Sequence, residues 1–206
     1  MLLLRSLLLL WLAGLGGRPT PPAGPAPEFC GRIAYRTEYQ DGAGESLYYA
    51  LPIETRFYVG GGSYKWYDHH QQLQELYRAD THAVYHVVKG QAVAEPDTDA
   101  RPVPPAVQCL PATATVAGYP CESLRLVQGE VTTLVFYAPA LRVDPAAFSG
   151  CPAPGWYALL QATGGGLPLR AIIVDVGHGI TVSKDAVAVQ PLLLTAADFT
   201  PAAPAR

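Results

Sequence analysis

Two alternating runs joined by a turn constrain what this chain can fold into. From Ser123 to Val127, Leu124 and Leu126 fall on one side and Ser123 and Arg125 on the other, while Val131 to Tyr137 is dense in β-branched and aromatic residues. A period of two sends alternate side chains to opposite faces of a strand, and Gln128-Gly129 between the runs supplies a turn residue that tolerates positive φ. The segment, led in by Val116-Ala117-Gly118-Tyr119-Pro120-Cys121, therefore reads as a β-hairpin at the centre of the fold. Twenty Gly, twenty Pro and twelve Tyr in 206 residues extend the same reading to short strands punctuated by turns. The expected class is mainly β, a curved antiparallel sheet or incomplete β-barrel with little helix.

Met1 to Gly17 carries one basic residue, Arg5, then an apolar run from Leu7 to Leu15 that includes Trp11, then Gly14, Gly16 and Gly17. This is the pattern of a secretory signal peptide. A membrane span needs roughly 20 apolar residues, and Pro19, Pro21 and Pro22 end the run too soon, so no transmembrane segment is expected after cleavage. The expected divisions are a signal at 1–17, a Pro/Ala/Gly-rich linker at 18–28, one β domain at 29–200 and a frayed tail at 201–206, with the product periplasmic or secreted. Half the residues are hydrophobic and 15% are charged, enough for a sizeable core. A net charge of −3 without a basic cluster excludes a nucleic-acid partner.

Along the chain, Arg32 to Tyr39 is the first strand, with Ile33, Tyr35, Thr37 and Tyr39 on one face, closed by a turn at Asp41-Gly42-Ala43-Gly44. Leu47 to Leu51 is a second strand. Thr55 to Val59 and Tyr64 to Tyr67 flank Gly60-Gly61-Gly62 as a hairpin; the glycines lack the following helix and the Lys-Ser/Thr pair of a phosphate loop. Asp68 to Arg78 fits either a helical stripe or a continuing meander. Ala83 to Lys89 is a strand, and Gln91 to Pro111, with Glu95, Asp97 and Asp99 ahead of three prolines, is a long exposed loop serving as rim or lid. Asp144-Pro145-Ala146-Ala147-Phe148 is one capped helical turn. Trp156 to Thr163 and Leu167 to Val176 pair around Gly164-Gly165-Gly166, and Gly177-His178-Gly179 turns into a strand from Ile180 to Val189.

The signal, Gly31-x-Ile33-x-Tyr35, the Val116 to Cys121 lead-in, the hairpin ending in Phe136-Tyr137, Leu167-Pro168-Leu169 behind a Gly-rich turn and a closing Asp198-Phe199-Thr200-Pro201 occur in an order that resembles exported bacterial proteins. The families concerned are the GLPGLI proteins and a neighbouring domain-of-unknown-function family with a LolA-like fold. The resemblance implies an open, strongly curved antiparallel sheet whose concave side holds an acyl chain or a lid helix. Gly166-Leu167-Pro168-Leu169 matches the GLPGLI signature in part, and a lid helix has no counterpart in this reading unless Asp68 to Arg78 is one.

Candidate chemistry is sparse. Four cysteines in an exported chain point to two disulfides with three possible connectivities. Cys109–Cys121 with Cys30–Cys151 is the favoured set, because the first closes a short loop worth roughly 3 kcal/mol in the chain-entropy model. No metal is expected: His82 and His86 share a strand face but stand about 13 Å apart along it, and Asp68-His69-His70 reads as solvated. Asp175, His178 and Ser183 are neighbours in sequence without a nucleophile elbow, so no enzyme activity and no cofactor are expected. The better clue is the recurrence of Tyr35, Phe57, Tyr64, Trp66, Tyr85, Phe136 and Trp156 at alternating strand positions. These lead to an expected apolar groove for a lipid or lipoprotein acyl chain. The alternative is a closed aromatic core in an envelope module that docks a protein partner through a loop or sheet edge.

Overall fold

The structure is a computed structural model that describes residues 27–47, 53–88, 91–95, 103–151, 153 and 155–201. Eleven strands run β1 Gly31–Asp41, β2 Ile53–Gly60, β3 Ser63–Tyr67, β4 Leu73–Arg78, β5 Ala83–Val88, β6 Gln91–Ala94, β7 Ala106–Val116, β8 Tyr119–Gln128, β9 Val131–Arg142, β10 Gly166–Asp175 and β11 Ile180–Pro191. One helix, α1 at Trp156–Ala162, and two 3-10 turns, Pro145–Phe148 and Ala196–Phe199, complete the described elements. All strands join one antiparallel sheet in the order β6-β5-β4-β3-β2-β1-β11-β10-β9-β8-β7. The chain thus meanders outward from β1 to β6, begins again at the opposite edge with β7, and meanders back until β11 pairs with β1.

Curvature follows from connectivity. Ten inter-strand steps of a flat sheet would separate its edges by roughly 48 Å. Glu95, whose N–H bonds the Val84 carbonyl at 2.8 Å, and Val103, whose carbonyl accepts from Gln128 Nε2 at 2.9 Å, hold to the two edge regions. Eight residue steps between them reach at most about 29 Å, so the sheet must curl without closing. Register shifts at Ala34/Tyr35, Trp66/Tyr67, Leu110/Thr113 and twice around Pro168 supply the local bends. Pro168, which cannot donate to a ladder, sits where the register breaks.

The concave face is the core. Ile33, Val59, Tyr64 and Tyr77 point into it and are covered by the chain between β9 and β10. Asp144 caps the first 3-10 turn by accepting from Ala146 N–H at 2.9 Å, with Pro145 at its start, and this turn drops Phe148 onto the sheet. Phe148 stacks on Tyr77 at 5.7 Å, Tyr77 on Tyr64 at 5.6 Å, and Trp156 meets Phe57 edge-on at 5.6 Å. Gly61 and Gly62, at φ +55° and +75°, form the two-residue turn between β2 and β3. A Cβ at Gly62 would stand 2.6 Å from that of Ala147, so the turn also fixes how closely the covering segment approaches. On the convex side the last 3-10 turn packs on β3 and β4: Phe199 is buried, and Lys65 Nζ donates to the Asp198 carbonyl at 2.9 Å.

Several expectations are corrected. The β8–β9 hairpin forms as expected but lies toward one edge; the centre belongs to β1 and β11. Trp156 to Thr163 is not a strand paired with β10. Leu159 and Leu160 bury together, which a helical face allows and a single strand face does not, and β10 pairs instead with β9 and β11. Gln91 to Pro111 is not one loop, since Gln91–Ala94 pairs with β5 and Ala106 onward pairs with β8. Asp68 to Arg78 resolves into a turn, with Asp68 Oδ1 accepting from His70 and Gln72 N–H, followed by β4. The expected strand Leu47 to Leu51 falls, beyond Leu47, outside the described residues, as do the signal and most of the linker.

The four cysteines are unpaired. Cys109 lies opposite Leu124 in the β7–β8 ladder, and Cys121, three residues before Leu124, points to the other face of the sheet. No disulfide can join them in that register. Cys30 packs at Gly60 and the Leu194 carbonyl, whereas Cys151 lies 3.8 Å from the Tyr64 hydroxyl, so the second expected bridge is also absent.

Candidate functional site

Between α1 and the concave face of the sheet lies a cavity of about 400 Å³. Its roof is the loop and helix around Ala153, Gly155, Trp156 and Leu159. α1 has seven residues, too few to persist alone. It is held by burial of Leu159 and Leu160 and by its C-terminal end, where Thr163 Oγ1 donates to the Leu159 carbonyl at 3.0 Å and Gly165 N–H to the Leu160 carbonyl at 2.7 Å. One wall is mainly aliphatic, with Leu126 of β8, Val135 of β9, and Ala171 and Ile173 of β10, beside the polar Gln128, Thr133 and Arg170. The other wall, from β1 to β4, is aromatic and polar.

Five of the seven expected groove residues, Tyr35, Phe57, Tyr64, Trp66 and Trp156, line this cavity. Tyr85 and Phe136 do not. Tyr85 is paired with Leu76, which alternates against the cavity-lining Glu75, so Tyr85 belongs to the convex face. Phe136 alternates against Val135 in the same way, and the Arg170 guanidinium lies over its ring at 5.9 Å. The wrong face follows from parity: one residue along a strand reverses the side.

The polar groups of the cavity make specific contacts, among them Arg170 Nε, which donates to Asp185 Oδ1. The Tyr35 hydroxyl donates to the Pro168 carbonyl at 2.6 Å, tying β1 to the bulged part of β10. The Tyr64 hydroxyl donates to Glu75 Oε1 at 2.5 Å. Burial first, then the neighbouring Cys151 and Glu75, push the Tyr64 hydroxyl far above the ordinary tyrosine range, so it remains a donor. His86 Nδ1 approaches the Glu75 carboxylate at 3.8 Å, and its Nε2 lies 3.4 Å from Glu95 Oε2. Lys184 of β11 puts its ammonium 5.1 Å from the centre of the Trp66 ring. Burial pulls the Lys184 pKa below the usual lysine range, opposed by the charge of Glu75. Trp156 Nε1 is buried without a hydrogen-bond partner among the described residues.

Lys184 and Glu75 were not anticipated from the sequence, yet each leaves a trace there. Val182, Lys184 and Ala186 share one parity of β11, and Glu75 shares the parity of buried Tyr77 in β4, so each charge stands where an apolar residue would be expected. The residues weighed for other chemistry stay apart from the cavity. His178 N–H and Nδ1 contact the Asp175 carboxylate at 3.0 and 2.8 Å in an exposed turn, while Ser183 stands in the β11 ladder opposite Glu38 and Ile172. Among the described residues no three metal-ligating side chains gather.

No protein-family model and no curated protein matches the chain. Solved structures do match. PNGF-II is 12% identical over 81% of this chain, with a TM-score of 0.47, and the chain spans 29% of that structure's length. A DUF1329 family protein from Desulfovibrio piger is 8% identical over 84% of this chain and 90% of its own, with a TM-score of 0.34. A putative outer membrane lipoprotein-sorting protein domain from Vibrio parahaemolyticus is 10% identical, covering 82% and 89% of the two chains, with a TM-score of 0.30. The GLPGLI resemblance finds no matching family model. Among the described residues no helix is long and apolar enough to cross a membrane.

Proposed function

We propose that this chain is an exported, non-enzymatic envelope protein that holds a hydrophobic ligand, a lipid or lipoprotein acyl chain, between α1 and the concave face of its sheet. The observation that carries this reading is the cavity itself. An interior that could have closed by aromatic packing instead keeps about 400 Å³ between an aliphatic wall and an aromatic one, within the range of roughly 300–1,000 Å³ typical of small-molecule sites. The aromatic cluster of Tyr64, Tyr77, Phe148 and Trp156 fills one end, so the space is a bounded site.

Native mass spectrometry of protein purified without detergent, followed by solvent extraction, tests it. The expected result is a stoichiometric adduct of lipid size that is lost when Trp66 is replaced by Glu in a variant that still folds. A clean apo mass, unchanged after incubation with envelope lipids, overturns the reading. A second reading as a protein-docking module draws on β7, an edge strand of eleven residues whose Ala106 to Cys109 are exposed. The same spectra would then show a polypeptide adduct.

A further inference from the structure

The cavity is asymmetric in charge as well as in shape. Its β8–β10 wall offers Leu126, Val135, Ala171 and Ile173, and its one ionisable side chain among the described residues, Arg170, is already ion-paired with Asp185, whereas its other end holds Lys184 beside Trp66, with Glu75 in the same wall. Among the described residues no carboxylate comes within ion-pair distance of Lys184. The Glu75 carboxylate is engaged by the Tyr64 hydroxyl and faced by His86. Trp156 Nε1, in the roof, is a second donor with no acceptor among the described residues. Buried donors without acceptors are costly, and a charge without a partner grows costlier as it loses water, as half-buried Lys184 does. A sequence that keeps both in the wall of one apolar cavity fits a ligand that brings acceptors and negative charge.

We infer that the ligand is a single-chain carboxylate amphiphile, a long-chain fatty acid, whose carboxylate lies at the Lys184 ammonium and whose chain runs along the aliphatic wall beneath α1. This rests on the cavity being the ligand site. The volume suits one chain better than several, being near the lower end of the range for small-molecule sites. Charge selects the head: an ammonium on an aromatic face repels a cationic head, and a neutral ester leaves it unpaired. Glu75 opposes the anion from the same wall, so the net attraction depends on the nearer approach of Lys184, which among the described residues is the one cation lining the cavity that is not already in an ion pair. The depressed Lys184 pKa agrees with a charge whose counter-ion comes from outside the chain.

Equilibrium binding of palmitic acid, its methyl ester and hexadecylamine, by displacement of a fluorescent fatty-acid probe from the full chain, tests the inference. The acid is expected to bind at least about tenfold more tightly than the ester, the gain typical of a charge-assisted contact, with the amine weakest. Lys184→Gln should bring acid and ester together, and Lys184→Arg should keep them apart. Equal binding of acid and ester by the unaltered protein overturns the inference while leaving the cavity as a ligand site. Binding of none of the three overturns the cavity reading and this inference with it. Should Lys184→Gln fail to fold, the acid-to-ester ratio of the unaltered and Arg-bearing proteins decides the matter.

Discussion

Gly165 joins α1 to the end of β9: its N–H reaches the Leu160 carbonyl at 2.7 Å and its carbonyl accepts from Val143 N–H at 3.0 Å. It does so at φ +91°, with the Val143 carbonyl where a Cβ would stand. Gly118 has a similar φ of +84° and nothing within 4 Å of that place. Gly165→Ala should therefore cost clearly more than Gly118→Ala, whose penalty is the backbone conformation alone, about 1–3 kcal/mol. Urea midpoints at constant slope measure both, and equal costs would contradict the assigned contact. The buried tyrosines give a second residue-scale expectation. Burial pushes the Tyr77 hydroxyl from 10.0 up to about 12, and burial with the Glu122 hydrogen bond pushes Tyr137 up to about 12. Tyr35 and Tyr64 move the same way. The folded state holds these protons more tightly than the unfolded chain, so their stabilisation is complete below about pH 10 and is lost as the pH rises toward about 12. Urea midpoints measured across that range should fall with tyrosinate absorbance appearing only on unfolding. A midpoint that stays level through the range would contradict the burial. Charges at apolar parity, Lys184 and Glu75, were readable at this scale once the period of two was taken as a rule whose exceptions matter.

Elements were legible where a local signal existed. The turn at Gly61-Gly62 is a two-residue hairpin with positive φ throughout, and the strands on either side follow from it; Ala117-Gly118, at φ +49° and +84°, forms a second such turn where the sequence suggested only a lead-in. The Asp144-Pro145 start of a helical turn was equally plain. α1 was not, because seven residues flanked by glycines carry aromatic and apolar side chains that suit a strand as well as a helix; burial of Leu159 and Leu160 on the sheet decides between them. Leu160→Ala should accordingly lower stability by about 2–5 kcal/mol. If chemical denaturation instead shows a change within about 0.5 kcal/mol, as for a surface position, the roof is not packed as described. The cysteines misled for a related reason: an even count says nothing about faces, and Cys109 and Cys121 are separated by the parity of β8.

At the scale of the molecule, the mainly β, curved, open sheet was legible from strand density and turns, but its order was not. Gly31 opposite Pro191 is a pairing across 160 residues, and no local pattern announces it. Nor does any local pattern say that β6 and β7, close in sequence, stand at opposite edges, which is the feature that forces the curl and leaves a concave face to be roofed. The site depends on both: β1 and β11 bring Tyr35 and Lys184 to the middle of that face, the first meander brings Phe57, Tyr64 and Trp66, and the second brings the aliphatic wall. The most direct test of a ligand held there uses Trp66 and Trp156, which both line the cavity, in protein with Trp11→Phe. Titration with a dibrominated long-chain fatty acid should quench their fluorescence saturably at one ligand per chain, and the unbrominated acid should reverse it. Quenching that is absent, or that rises without saturation, would contradict a ligand site under α1.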